Sequence, residues 1–187
     1  KHRVERLLAM SLKRRFLVSA VIGLHRVREE QPAPIQQGRE AGANLALRAQ
    51  ELQAFLGPDY LITVHREPLA TLDEMRVRCR SDSRTGKYRT DMLLYQMVDH
   101  MVDAIFPLLD EMEDEIDDLE DEILAKPTQA SLHRVFDLKR QLVFLRKTVG
   151  PMRDAMDTLA DTRYEIIDPR TALYYRDTYD HLVRIYD

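Results

Sequence analysis

The spacing of apolar residues changes character at about residue 90. Before that point they come in short runs. FLVSAVIGL at 16–24 is partly β-branched and bounded by charge, which predicts a buried strand. The runs 52–56 and 60–65 lie on either side of Gly57-Pro58-Asp59 and predict a β-hairpin. Pro68 opens a helical stretch with Leu69, Leu72, Met75 and Cys79 on one face. Segments 29–44, rich in Pro, Gly and Gln, and 81–89 have no period and predict loops. Beyond residue 90 the apolar positions become regular. Ile105, Leu109, Met112, Ile116, Leu119 and Ile123 recur at spacings 4, 3, 4, 3, 4. Val135, Leu138, Leu142, Leu145, Val149, Met152, Met156 and Leu159 recur at 3, 4, 3, 4, 3, 4, 3. These heptad seams predict helices over 90–124 and 128–160, capped by Thr90 and Thr128 and kinked at Pro107 and at Gly150-Pro151. The short link Lys126-Pro127-Thr128 predicts that the two form an antiparallel αα-hairpin. Asp168-Pro169 starts a third helix, with Tyr175, Tyr179, Leu182 and Tyr186 at 4, 3, 4. The predicted fold class is α+β: an N-terminal α/β domain over 1–89, a helical hairpin over 90–165 and a further helix from 166 to 187.

Charge sharpens the hairpin. In residues 110–122, DEMEDEIDDLEDE, ten of thirteen residues are acidic and none is basic. The following helix carries Arg134, Lys139, Arg140, Arg146 and Lys147, so opposite surfaces favour the pairing, at ~0.2–1 kcal/mol for each exposed pair. The basic segment 1–15 reads as a solvated helix face, and a net charge of −4 argues against nucleic acid as the main partner. The single cysteine, Cys79, excludes an internal disulfide, fits a reducing compartment and reads as a buried structural thiol. No uninterrupted apolar run nears the roughly 20 residues that span a bilayer, and no signal peptide is visible.

Candidate chemistry is confined to two constellations. No Gly-rich phosphate loop, GxSxG, HExxH or CxxC occurs, and no enzyme is expected. His2, His25 and His133 read as surface residues and His65 as a structural residue at a strand end. Asp99 and Asp103 stand one helical turn apart beside an apolar seam, an arrangement that a cation or a basic side chain between them would relieve. Asp177 and His181 have the same spacing in the third helix, with Asp180 between them. A carboxylate and an imidazole at that spacing can share a divalent ion; the alternative is ion pairing with Arg176 and Arg184.

Four blocks in order carry a family resemblance: FLGPDYLITVHREPLATLDEMR at 55–76, DMLLYQMVDHMVDAIFPLLDEMEDEIDDLEDEIL at 91–124, DLKRQLVFLRKTVGPMRD at 137–154 and YYRDTYDHLVRI at 174–185. Together they resemble the cytoplasmic domain of CorA-type magnesium transporters. The resemblance implies an α/β domain, a long helical hairpin and a stalk helix that continues into the membrane, with five subunits around one pore. It places the domain on the cytoplasmic face of the inner membrane. The family's Gly-Met-Asn pore motif and both membrane helices are not in these residues, and the expectation is a fragment that ends within the stalk. The resemblance also implies a divalent-ion sensor that closes the pore. Mg2+ is its regulatory ligand and cargo, with Co2+, nickel or Zn2+ as further candidates. Asp177 falls on the stalk aspartate of that sensor, Asp99 on its acidic partner, and His181 one turn beyond. The family's further acidic partners before the first strand find no Glu-Asp pair in 1–15. The alternatives are a zinc-transporting member of the superfamily and a non-transporting coiled-coil scaffold.

Overall fold

The computed structural model describes residues 16–28, 45–81, 88–161 and 164–187. The expected loop at 29–44, most of the loop at 81–89 and the basic segment 1–15 lie outside the described residues. Three strands, β1 (Phe16–Arg28), β2 (Leu45–Leu56) and β3 (Leu61–His65), form one antiparallel sheet in the order β1-β2-β3. Five helices follow: α1 (Ala70–Ser81), α2 (Thr90–Asp103), α3 (Phe106–Ala125), α4 (Gln129–Leu159) and α5 (Pro169–Tyr186). The architecture is α+β and mostly helical.

The expected hairpin is β2–β3, with Leu56 opposite Leu61 and the Gly57 N–H donating to the Tyr60 carbonyl at 2.9 Å. Gly57 is required by close approach, since a Cβ there would lie 2.2 Å from the Tyr60 ring. Period-two alternation puts Leu52, Ala54 and Leu56 on the buried face and leaves Ile62 and Val64 on the outer face. β2 begins seven residues before the run that announced it, because Leu45–Glu51 pairs with β1 around an irregularity between Val21 and Leu24. Cross-strand pairing rather than local β propensity makes that segment a strand.

α2 and α4 pack against the sheet, and α5 packs on both. Leu94, Met97, Val98, Met101 and Val102 of α2 meet Val149, Met152, Met156 and Leu159 of α4 and Tyr175 and Leu182 of α5 in one core. Each such side chain contributes about 1.5–3 kcal/mol by leaving water. The stretch Thr90–Ala125 is long and apolar enough to cross a membrane by length and composition alone. Its apolar residues from Leu94 to Leu108 include Leu94, Met97, Val98, Met101, Val102, Ile105 and Leu108, which are buried in this core, and Asp99 and Asp103 interrupt them.

Several expectations need correction. The predicted 90–124 helix is two helices. Pro107 has no N–H for the Asp103 carbonyl, and the backbone takes a tighter turn, with Ile105 N–H bonding the Val102 carbonyl at 2.9 Å. Thr90 is not the N-cap. Arg89 occupies that position without a side-chain cap bond, and the Thr90 hydroxyl donates to the Gly57 carbonyl at 2.6 Å, fastening α2 to the hairpin turn. Cys79 is exposed rather than buried, because α1 buries only Leu72 and its far end stands clear of the core. In α5 the buried stripe is Tyr175, Thr178, Leu182 and Ile185, one step round from the expected one. Thr178 can be buried because its hydroxyl finds partners in Asp99 and the Tyr174 carbonyl.

α4 runs unbroken through Pro151. Its first turn has a full capping box: Thr128 Oγ1 accepts the Ser131 N–H at 3.0 Å, and Ser131 Oγ accepts the Thr128 N–H at 2.8 Å. Thr128→Ala is expected to destabilise the protein by about 1 kcal/mol in chemical denaturation. Towards its end α4 is held by α5, whose Tyr186 ring lies beside Gly150 and beneath the Arg146 and Arg153 guanidiniums at 4.5 and 4.9 Å. Its first half packs against α3. There Met112, Leu119 and Leu138 are buried, Arg134 pairs with Glu122 at 2.6 Å, and Val135 and Leu142 remain exposed. One helix covers one side of a seam; the second side needs another neighbour.

Candidate metal centre

Asp99 and Asp103 project from the last turns of α2 toward α5, where His181 faces them. One donor atom from each lies within 4.8 Å of the others. The spacing that puts Asp99 and Asp103 on one helical face is thus met by an imidazole from a helix 78 positions on in sequence. Asp99 is half-buried and fixed from both sides: the Tyr95 hydroxyl donates to one oxygen at 3.2 Å and the Thr178 hydroxyl to the other at 3.0 Å. Burial, then the charge and hydrogen bond of Asp99, then Asp177 and Asp103, push the Tyr95 phenol up to about 12. Tyr95 therefore stays protonated and keeps donating to Asp99 at any physiological pH.

His181 Nδ1 is 3.7 Å from Asp103 Oδ1, too far for a hydrogen bond, and among the described residues this buried nitrogen has no other partner. Phe106 packs edge-on against the imidazole, with ring centroids 5.8 Å apart, and fixes its plane. A buried polar atom without a partner costs about 1–3 kcal/mol, and two carboxylates one turn apart repel each other. A cation between the three side chains would relieve both at once. The residues fit a divalent ion on that ground. The donor set of two carboxylates and one imidazole suits zinc, cobalt or nickel, and it suits magnesium through the carboxylates with retained waters. A groove of about 460 Å³ runs beside Asp99 and Asp103, bounded on its far side by Met75, Arg78 and Tyr88.

Three of the five sequence candidates thus come together. Asp177 and Asp180 do not join them: both are exposed, and among the described residues neither is ion-paired. Arg176 and Arg184, their expected partners, lie instead over the rings of Tyr179 and Phe106 at 5.6 and 5.8 Å. Sequence reading missed Tyr95 and Thr178. Tyr95, four residues before Asp99, was visible as a neighbour on the same face; Thr178 carried no signal until α5 was docked. It also missed the role of Asp91, which is wholly buried at the start of α2. Asp91 Oδ1 accepts from the Met92 N–H and from Arg89 Nε at 3.0 and 3.2 Å, and Oδ2 accepts from the Asp168 N–H at 2.7 Å. The Tyr175 hydroxyl donates to the Asp91 carbonyl at 2.9 Å, so the starts of α2 and α5 are tied through one residue, which fixes the facing of Asp99 and His181.

Comparison with known proteins gives a consistent picture. Residues 36–187 match the sequence model of the family described as CorA-like Mg2+ transporter protein. The chain is 35% identical over 142 residues to the cobalt/magnesium transport protein CorA of Thermotoga maritima, covering 75% of this chain and 40% of that one. It is 27% identical over 135 residues to the zinc transport protein ZntB of Yersinia enterocolitica, covering 65% and 40%. The chain therefore spans 40% of the length of each of these relatives. The soluble domain of CorA from Methanocaldococcus jannaschii has the same fold, with a TM-score of 0.73 at 17% identity over 95% of this chain and 64% of that one.

Proposed function

The chain belongs to the family of CorA-like Mg2+ transporter proteins, and we propose that it is the metal-sensing regulatory domain of a divalent-cation transporter. The observation that carries this reading is the convergence of Asp99, Asp103 and the partnerless Nδ1 of His181 at the contact of α2 and α5. A divalent ion held by these side chains would neutralise the two carboxylates and tie α5 to α2. Tyr95 and Thr178 hold Asp99 in place, and Phe106 holds His181. In this reading residues 1–89 form the N-terminal α/β domain, 90–165 the antiparallel hairpin and 166–187 the start of the stalk. The stalk leads to membrane helices and a homopentameric pore, with the domain on the cytoplasmic side. A site at the root of the stalk is well placed to bias it. Loss of the ion leaves like charges facing one another on α2, which loosens its grip on α5 and favours the open pore. Magnesium, cobalt or nickel is the cargo, as the name of the Thermotoga relative suggests for cobalt and magnesium. The role is one of binding, not catalysis.

One observation favours a second reading. An imidazole in the donor set selects zinc over magnesium, and ZntB is among the relatives. Thermal unfolding at matched ionic strength separates the two. An ion at ten times its Kd stabilises by about 1.4 kcal/mol, which is roughly 3–6 °C in a chain of this size. The expected result is such a shift with magnesium at millimolar concentration and its loss in Asp99→Ala. A shift with zinc at micromolar concentration that vanishes in His181→Ala assigns the site to zinc. If no divalent ion shifts the wild type, the sensor reading is wrong.

A further inference from the structure

The groove between α1 and α2 has walls of opposite character. The α2 wall carries the carboxylates of Asp99 and Asp103. The α1 wall carries Arg78, which among the described residues is paired with no carboxylate, whereas Arg76 on the same helix holds Asp73 at 3.1 Å. Beside Arg78 stands Tyr88, whose ring is 44% exposed. Tyr95 also lines the groove, but its hydroxyl is committed to Asp99 and its ring to Tyr174 and Tyr175, at 5.1 and 5.9 Å between centroids. The volume of about 460 Å³ lies within the ~300–1,000 Å³ of small-molecule sites. An acidic wall by itself asks only for a cation. A guanidinium and an open aromatic ring across from it ask for an anion with an organic body.

Both demands meet in an ion that brings its own anion. Asp99, Asp103 and His181 offer one donor atom each. Magnesium demands octahedral geometry, and proteins hold it through one or two carboxylates together with a ligand's phosphates. Zinc with three protein ligands keeps a further position open. His181 comes from α5 and does not line the groove, so the open positions are reached from the α1 side. Phosphate oxygens there would complete the coordination of the ion. A second phosphate would reach Arg78, whose planar guanidinium takes oxyanions through paired hydrogen bonds. The group attached to the phosphates would then lie against Tyr88, and an aromatic ring accepts the flat face of a base.

We infer that the α1–α2 groove binds a metal-chelated nucleoside diphosphate, its phosphates spanning from the ion at Asp99 and Asp103 to Arg78 and its base against Tyr88. Such binding rests on the ion site proposed above and supplies the ligand of its open side. Without the ion the two carboxylates repel a diphosphate, so binding is strictly ion-dependent. By linkage the diphosphate tightens the hold on the ion by the same factor as the ion tightens the hold on the diphosphate. A sensor built this way responds to chelated as well as free divalent ion.

Calorimetric titration of the whole chain with ADP, at a fixed free concentration of magnesium, tests it, and pyrophosphate serves as the ligand without a nucleoside. ADP is expected to bind in magnesium and not in EDTA. Arg78→Glu is expected to weaken both ADP and pyrophosphate about tenfold or more, while magnesium titrated alone binds as to the wild type. Tyr88→Ala is expected to weaken ADP about fivefold and to leave pyrophosphate unchanged. Both side chains are exposed, and circular dichroism checks that each variant folds. Magnesium binding without ADP binding overturns the inference and leaves the sensor reading standing. ADP binding that persists in EDTA, or that Arg78→Glu does not diminish, overturns it as well. Pyrophosphate binding as tight as that of ADP, with Tyr88→Ala silent, overturns the nucleoside assignment and gives the groove to inorganic phosphates. If neither magnesium nor zinc binds the wild type, the sensor reading fails and this inference with it.

Discussion

Asp91→Ala is expected to destabilise this protein by about 3 kcal/mol, lowering the midpoint of thermal unfolding by about 6–12 °C. A carboxylate in the first turn of a helix usually contributes 0.3–1 kcal/mol through the helix dipole, and the sequence gives no reason to expect more of Asp91. The structure does. The side chain is fully buried, and both of its oxygens are used, by Met92, Arg89 and Asp168. Removing it strands the Asp168 N–H at the N-cap of α5, and the Arg89 guanidinium loses its nearest anion. Asp91→Asn is expected to recover less than half of the loss, because its amide nitrogen must face one of the same donors. Tyr175 reports on the same junction: burial, then the charge of Asp91, pushes its phenol well above the usual tyrosine range, so it remains a donor to the Asp91 carbonyl. Chemical denaturation of the variants decides the matter. A cost for Asp91→Ala below about 1 kcal/mol would reduce Asp91 to an ordinary first-turn acid.

Asp91 also marks where sequence reasoning stops. Features set within a few residues were legible. Thr128 caps α4, Asp168 caps α5 with its oxygen on the Arg170 N–H at 2.8 Å, and Gly57 turns the hairpin. The seam residues from Leu145 to Leu159 are buried as their period required, because α5 and the sheet close over them. Features that depend on distant partners were not legible. Leu45–Glu51 is a strand because β1 lies beside it; Thr178 turns inward because Asp99 waits there; Val135 and Leu142 keep the period of a seam without its burial because, among the described residues, no third helix reaches them. The candidate site divides the same way. The i, i+4 pairs were visible in sequence, but the grouping that the fold makes crosses those pairs, taking Asp99 and Asp103 together from α2 and only the histidine from α5.

That regrouping gives the last expected result. In the isolated chain, Asp177→Ala is expected to leave divalent-ion binding unchanged, while Asp99→Ala and His181→Ala weaken it at least tenfold. Asp177 is exposed one turn before His181, outside the group formed by Asp99, Asp103 and His181, and its carboxylate reaches the site only as a neighbouring charge acting on Tyr95. In the full-length transporter the order is expected to change. In the ring of subunits that the proposed function implies, an outward carboxylate on α5 would face the next subunit, and Asp177 would complete a site whose other ligands belong to that neighbour. There Asp177→Ala is expected to move inhibition of flux by intracellular magnesium to about tenfold higher concentration, with the fold of the domain intact because no packed atom is lost. Asp180→Ala, one step round the helix, is the control and is expected to move neither measurement. Calorimetric titration of the isolated chain and flux against magnesium in the full-length protein read the two effects separately. Equal loss of ion binding in the isolated Asp177→Ala and Asp99→Ala chains would place Asp177 within the same site as Asp99. An inhibition curve unmoved by Asp177→Ala would leave Asp177 as a solvated charge on the outer face of α5.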